Sequence, residues 1–171
     1  MIDLTCFKAY DIRGTYPDQL DESTGRAVGR AFATFLRPET VVVGRDMRLS
    51  SPSVCAALIE GLTAQQADVI DLGMVATPMT YFAAHQTGCN SAVSVTGSHN
   101  PPDYNGLKMV VGGTTLSGED IQRLRTRIEA ADFSAWDQEG VLGEHSRVVE
   151  GGWEITVLTD SMRCAACAWL I

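Results

Sequence analysis

The chain has 171 residues, 45% of them hydrophobic and 20% charged, enough apolar material to bury one sizeable core and to predict one globular domain. Its 13 Lys and Arg against 21 Asp and Glu give a formal net charge of -8, which repels a polyanion and speaks against nucleic acid as a partner; a local pocket of basic side chains and backbone N–H groups could still bind a small anion. No stretch approaches the roughly 20 apolar residues needed to span a bilayer, Met1 to Tyr10 lacks a secretory pattern, and five cysteines are an odd, sparse set, so the expectation is a soluble cytoplasmic protein with no membrane partner.

Taken in chain order, Ala27, Val28, Ala31, Phe32, Phe35 and Leu36 fall on one helical stripe that stops before Pro38 and predict a first helix. The β-branched run Val41-Val42-Val43 predicts a buried strand opening into the charged loop Gly44-Arg45-Asp46. Ser50-Ser51-Pro52 supplies a cap and a first-turn proline for a second helix carrying Val54, Cys55, Leu58, Ile59 and Leu62. The alternation repeats, with a strand at Val69 to Leu72, a helix start at Thr77-Pro78 and a helix over Met79 to Ala84. Ala92 to Val95 predicts a third core strand, and Leu107 to Val111 a fourth; the connection between them contains no helix, so the two can pair antiparallel. Ser117 with Asp120 reads as a capping box for a last helix that turns Ile121, Leu124 and Ile128 inward.

This order predicts an α/β domain of three layers with a mixed, mostly parallel sheet and one antiparallel strand. Ligands of such sheets sit at the carboxyl ends of the strands, where the loops after Val43 and Val95 lie. From Ala131 onward the periodicity fades, which sets residues 1–130 as the domain and 131–171 as an irregular segment and tail.

The segment from Thr96 to Lys108, Thr-Gly-Ser-His-Asn-Pro-Pro-Asp-Tyr-Asn-Gly-Leu-Lys, places a nucleophile, hydrogen-bonding side chains, two prolines and two glycines directly after a buried strand. Its composition fits a surface turn equally well. It is not the G-x-S-x-G elbow of a hydrolase, and Ser98 and His99, as neighbours on an extended backbone, should point in opposite directions. Nor does Gly106-Leu107-Lys108 have the upstream glycine of a phosphate-binding Walker A loop.

The Thr96 to Lys108 segment resembles the phosphoserine loop of the α-D-phosphohexomutases, T-[AG]-S-H-N-P, in their bacterial phosphomannomutase/phosphoglucomutase branch. Phe7-Lys8-Ala9-Tyr10-Asp11-Ile12-Arg13-Gly14 is similar to that branch's F-[KR]-A-Y-D-I-R-G signature, and Val43-Gly44-Arg45-Asp46 with Arg48-Leu49-Ser50 to its V-G-R-D-x-R-x-S segment. Gly73 to Pro78 resembles a fourth landmark in the same order. The resemblance implies an N-terminal domain in which Ser98, as phosphoserine, gives its phosphoryl group to a hexose monophosphate and recovers it from the resulting hexose 1,6-bisphosphate, moving phosphate between O1 and O6. Arg13 and Lys108 would stabilise the transferring group and assist proton transfer, while Tyr10, His99 and Asn100 would bind substrate or phosphate. For Arg45, Asp46 and Arg48 two readings stay open, a role at the site and an ion-paired structural turn.

The family implies Mg²⁺, with a phosphoserine oxygen at Ser98 as one ligand, yet no D-x-D-x-D carboxylate loop occurs in the sequence. A full phosphohexomutase resembles four domains around a cleft, so the expectation here is the first domain of a truncated chain, with negligible turnover alone because substrate positioning is lost. The rival readings are a phosphosugar or anion-binding module and a nonfunctional remnant. Cys164-Ala165-Ala166-Cys167 has metal or redox spacing but no second Cys/His pair beside it to complete a zinc site. The sequence leaves the hexose and the oligomeric state open.

Overall fold

The computed structural model describes residues 2–130, 146–149 and 152–155. The chain divides into two compact units, Met1–Phe133 and Ser134–Ile171. In the first, a short 3-10 turn, Leu4–Cys6, leads into strand β1 (Ile12–Thr15), followed by helix α1 (Glu22–Leu36), β2 (Thr40–Arg45), α2 (Ser51–Thr63), β3 (Asp68–Met74), α3 (Thr77–Gln86), β4 (Ala92–Val95), β5 (Tyr104–Val111), β6 (Thr114–Thr115) and α4 (Glu119–Glu129).

The strands form one sheet in the order β1-β5-β4-β2-β3, with the two-residue β6 on β5. β2 pairs parallel with both β3 and β4, whereas β5 is antiparallel to β4, β1 and β6. Within this sheet β5 alone runs against the others, as expected from the helix-free connection between Val95 and Leu107. The register sets Val43 opposite Val93, Arg45 opposite Val95, Ser94 opposite Lys108 and Arg13 opposite Gly106, so the carboxyl ends of β2 and β4 lie side by side.

Alternation of side chains across the pleat sorts the sheet into two faces. Ile12, Val41, Val43, Val93, Val95, Leu107 and Met109 turn to one face and pack with Val28 and Phe32 of α1, Leu58 and Leu62 of α2, and Ile121 and Leu124 of α4. Val42, Ala92 and Val110 turn to the other and meet Ala84 and Tyr81 of α3. The layers are therefore three helices, the sheet, and one helix. Each fully buried Leu, Ile or Phe stabilises by about 1.5–3 kcal/mol relative to exposure, so the first face carries most of the fold's free energy.

Several local expectations are corrected. The first helix starts at Glu22, earlier than its apolar stripe, because the Asp21 carboxylate caps it by accepting from the Thr24 amide at 2.9 Å. The Ser117–Asp120 capping box does not form: Gly118 occupies the cap at φ 54°, and its amide donates to Ala9 O at 2.6 Å. Ser50 stands at the α2 cap position without capping it; its hydroxyl accepts from the Asn105 side-chain amide at 2.8 Å instead. Strands β1 and β6 were not expected. Nor were β7 (Ser146–Val149) and β8 (Gly152–Ile155), which pair antiparallel in the second unit. Cys164 and Cys167 lie outside the described residues.

Candidate active site

The loop after β2 carries an ion pair whose two members both hydrogen-bond to the loop after β4. Asp46 and Arg48 approach at 3.3 Å between Oδ2 and Nε, with side-chain exposures of 23% and 13%. Asp46 Oδ1 accepts from the Arg48 amide at 3.0 Å and the Ser51 hydroxyl at 2.5 Å, and Oδ2 from the Gly97 amide at 3.1 Å. Burial is the largest single influence on this carboxyl and favours its neutral form, but the hydrogen bonds from Ser51, the Arg48 amide, Thr96 and the Gly97 amide outweigh it and hold Asp46 below the usual carboxylate range.

The guanidinium of Arg48 closes on the second loop. Nη1 donates to the carbonyls of Tyr104, at 2.9 Å, and of Pro101; Nη2 donates to those of Asn100, at 2.7 Å, and Ser98, at 3.2 Å. Gly97 is required here, since a Cβ at that position would lie on the guanidinium.

Ser98 stands at the tip of this loop with φ 54°, a left-handed conformation rare for a residue with a Cβ. Its amide donates to Thr96 Oγ1 at 2.9 Å, and its hydroxyl lies exposed, 3.4 Å from His99 Nδ1. The two side chains were expected to diverge; the positive φ breaks the extended alternation and lets them meet, at the outer limit of a hydrogen bond. The Asn100 side chain is half-buried and donates to Gly97 O at 2.8 Å, which engages its amide in shaping the loop.

Ser98, Asn100, Asp46, Arg48 and Thr96 line one open cleft of about 710 Å³. Its rim also holds Ser50 and Thr77, at the starts of α2 and α3; neither helix carries a side-chain cap, so two positive helix ends face the cleft. A larger cavity of about 1070 Å³ lies between Phe7, Phe35 and α4, away from Ser98. The one hydroxyl in its lining, Thr126, donates to Gln122 O, whereas the smaller cleft holds the exposed Ser98 hydroxyl.

Arg13 and Lys108 sit just outside this lining. By register both stand on the α3 face of the sheet, Arg13 opposite Gly106 and Lys108 opposite Ser94, and Gly106 O accepts the Thr96 amide at 2.9 Å. Arg13 directs Nη2 and Nε to one oxygen of Asp11, at 3.0 and 3.3 Å. Lys108 is half-buried and has no hydrogen-bonding or ion-pair partner among the described residues. Tyr10 is 77% exposed on the turn before β1 and is not in the lining of the Ser98 cleft. Of the two readings left open for the second segment, Arg45 takes no part in the loop contacts, whereas Asp46 and Arg48 hold the loop directly.

Residues 5–135 match the family model described as phosphoglucomutase/phosphomannomutase, alpha/beta/alpha domain I. The chain belongs to this family. It is 46% identical over 143 residues to a phosphomannomutase of Escherichia coli, covering 81% of this chain and 31% of that protein. It is 50% identical over 132 residues to a phosphomannomutase/phosphoglucomutase of Pseudomonas aeruginosa, covering 75% and 28%. A solved phosphoglucomutase/phosphomannomutase family protein from Burkholderia thailandensis superposes with a TM-score of 0.72 at 48% identity, over 77% of this chain and 31% of that one. The chain thus spans about 30% of the length of the relatives it matches.

The described residues do not fit the Mg²⁺ that the sequence resemblance implies. Ser98 could offer one phosphate oxygen, but the described residues contain no group of three His, Cys, Asp or Glu side chains able to hold a metal, and Asp46 is committed to three donors and its ion pair. No helix among the described residues is long and apolar enough to cross a membrane.

Proposed function

We propose that Ser98 is a phosphoryl carrier in hexose-phosphate mutase chemistry. The observation that carries the reading is an exposed hydroxyl on a left-handed, non-glycine residue at the carboxyl end of a central strand, in a loop whose backbone is fastened on both sides. Strained backbone of this kind costs about 1–3 kcal/mol and persists where the surroundings over-determine it, as at sites of chemistry.

In the carrier step a hexose 1,6-bisphosphate gives up one phosphoryl group: the sugar O–P bond breaks, a bond from phosphorus to Ser98 Oγ forms, and the serine proton ends on the released sugar oxygen. Run in reverse onto the other hydroxyl, the step moves phosphate between O1 and O6. Such transfers are accelerated chiefly by positioning and by cations and dipoles around the equatorial oxygens. Among the described residues Lys108 has its ammonium free and Arg13 keeps Nη1 free beyond its pair with Asp11, and the two helix starts add positive potential. His99 and Asn100 shape the loop beside the phosphate, and the exposed Tyr10 phenol is free to meet the sugar. We place this chemistry in the cytoplasm. These 171 residues are expected to exchange phosphate at Ser98 but to interconvert hexose phosphates negligibly, because one exposed wall cannot fix both ends of a sugar.

Intact mass before and after incubation with glucose 1,6-bisphosphate in Mg²⁺ buffer tests the reading. Wild type should gain one phosphate and Ser98→Ala none. Absence of the gain in wild type would leave an anion-binding module as the better account.

A further inference from the structure

We propose that Arg48 is the positioning residue of the site: it sets the direction of the Ser98–His99 peptide without touching substrate. The inference rests on the phosphoserine reading of Ser98. A guanidinium has five N–H donors, and the four on the Nη atoms of Arg48 are spent on carbonyls: Nη1 on Pro101 O and Tyr104 O, Nη2 on Ser98 O and Asn100 O, while Nε faces Asp46 Oδ2 as an ion pair at 3.3 Å. No Nη donor remains for a phosphate and Nε faces a carboxylate, so an arginine that sequence alone would offer as an anion ligand is excluded from that role.

The consequence falls on the backbone. A peptide is planar and trans, so drawing the Ser98 carbonyl onto Arg48 turns the His99 N–H the opposite way. That amide has no acceptor among the described residues, and it borders the exposed Ser98 hydroxyl. Arg48 thereby presents a backbone donor beside the phosphorylated oxygen and holds Ser98 at its positive φ. Gly97 gives the guanidinium room, and Asp46 anchors it from the β2 side. Lysine keeps the charge but has three donors on a flexible stem and cannot fork across four carbonyls.

The test measures the rate of phosphate uptake by Ser98 as a function of glucose 1,6-bisphosphate concentration, for wild type, Arg48→Lys and Gly97→Ala, with folding followed by circular dichroism. Both variants should lower the maximal rate at least tenfold while the half-saturating concentration stays within about twofold. Amide resonances of residues 97–100, 103 and 104 should move. A rise in the half-saturating concentration at unchanged maximal rate would make Arg48 a phosphate ligand and overturn the proposal, as would unchanged kinetics in both variants. Should Arg48→Lys fail to fold, Gly97→Ala decides alone, because it displaces the guanidinium and leaves the charge in place. If wild type takes up no phosphate, the phosphoserine reading fails separately; the loop amides then judge the clamp, and unshifted resonances in the variants refute it.

Discussion

Replacing Asp46 by Asn is the sharpest perturbation of the framework under Ser98, because it removes one charge and little volume. The carboxylate accepts from the Arg48 amide and the Ser51 hydroxyl on Oδ1 and from the Gly97 amide on Oδ2, which also pairs with Arg48 Nε. Asn does least harm with its NH₂ toward Ser51, whose hydroxyl can rotate to accept, leaving its oxygen for the Gly97 amide and Arg48 Nε. The Arg48 amide then loses its acceptor, at about 1–3 kcal/mol, and two bonds to a charge become bonds to a neutral oxygen, at about 1 kcal/mol each. Relief of the carboxylate's partial burial offsets part of this, so the expected loss at pH 7 is about 2–3 kcal/mol, or roughly 10 °C in Tm for a domain of this size. The pH dependence fixes the cause. Because the folded pKa of Asp46 lies below its unfolded value, the ionic contribution is fully present above about pH 4 and is lost as pH falls through the depressed folded value. Wild type loses that contribution in acid and Asp46→Asn has none to lose, so their urea midpoints should converge as pH falls below about 4. A gap below about 0.5 kcal/mol at pH 7, or one that stays constant into acid, would refute the reasoning.

Two further substitutions probe the strain at the site and the helix contact behind it. Ser98→Gly should be more stable than Ser98→Ala by about 1 kcal/mol in urea unfolding, since both lose the hydroxyl and glycine alone is at ease at φ 54°; equal stability would mean that the loop stores no backbone strain. Gly61→Ala should lower stability by about 2 kcal/mol or more although helix propensity favours alanine by about 1 kcal/mol, because a Cβ at Gly61 meets Arg26 O and comes within 3.0 Å of Arg30 N where α2 crosses α1; a rise in Tm would show that the helices can separate cheaply.

Much of the fold was legible because its signals are local. The stripe through Val28 and Phe32, the run Val41 to Val43 and the helix-free connection after Val95 each carry their own period or length argument, and each appears in the sheet or on its helices. What was missed depends on distant partners. β1 has four residues, Ile-Arg-Gly-Thr, with no readable period, and exists through its register with β5 some ninety residues on. The cap expected of Ser50 gave way to a tertiary bond from Asn105, and that expected of Ser117 to a contact between Gly118 and Ala9. At the site, composition left the Thr96 to Lys108 segment as open to a surface turn as to a site, and its resemblance to the phosphoserine loop singled it out. The work of Arg48 was not legible, because its partners on the second loop are main-chain carbonyls, which every residue has and no sequence pattern marks.

That difference bears on how the site is held. Ser98 belongs to the β4–β5 loop, and beyond the local bond of its amide to Thr96 the groups that fix this loop come from the loop after β2: Arg48 takes the carbonyls, Asp46 takes the Gly97 amide, and Ser51, bonded to Asp46, receives the Asn105 amide at 3.1 Å from the start of β5. Because β2 and β4 are parallel neighbours, their carboxyl ends come together without any special device, and one arginine can reach across. A loop fastened by its neighbour can keep its tip in a costly conformation while leaving the tip's own side chains free. Ser98 and His99 spend little on structure for that reason, and their exposure follows from support supplied by residues 46–51.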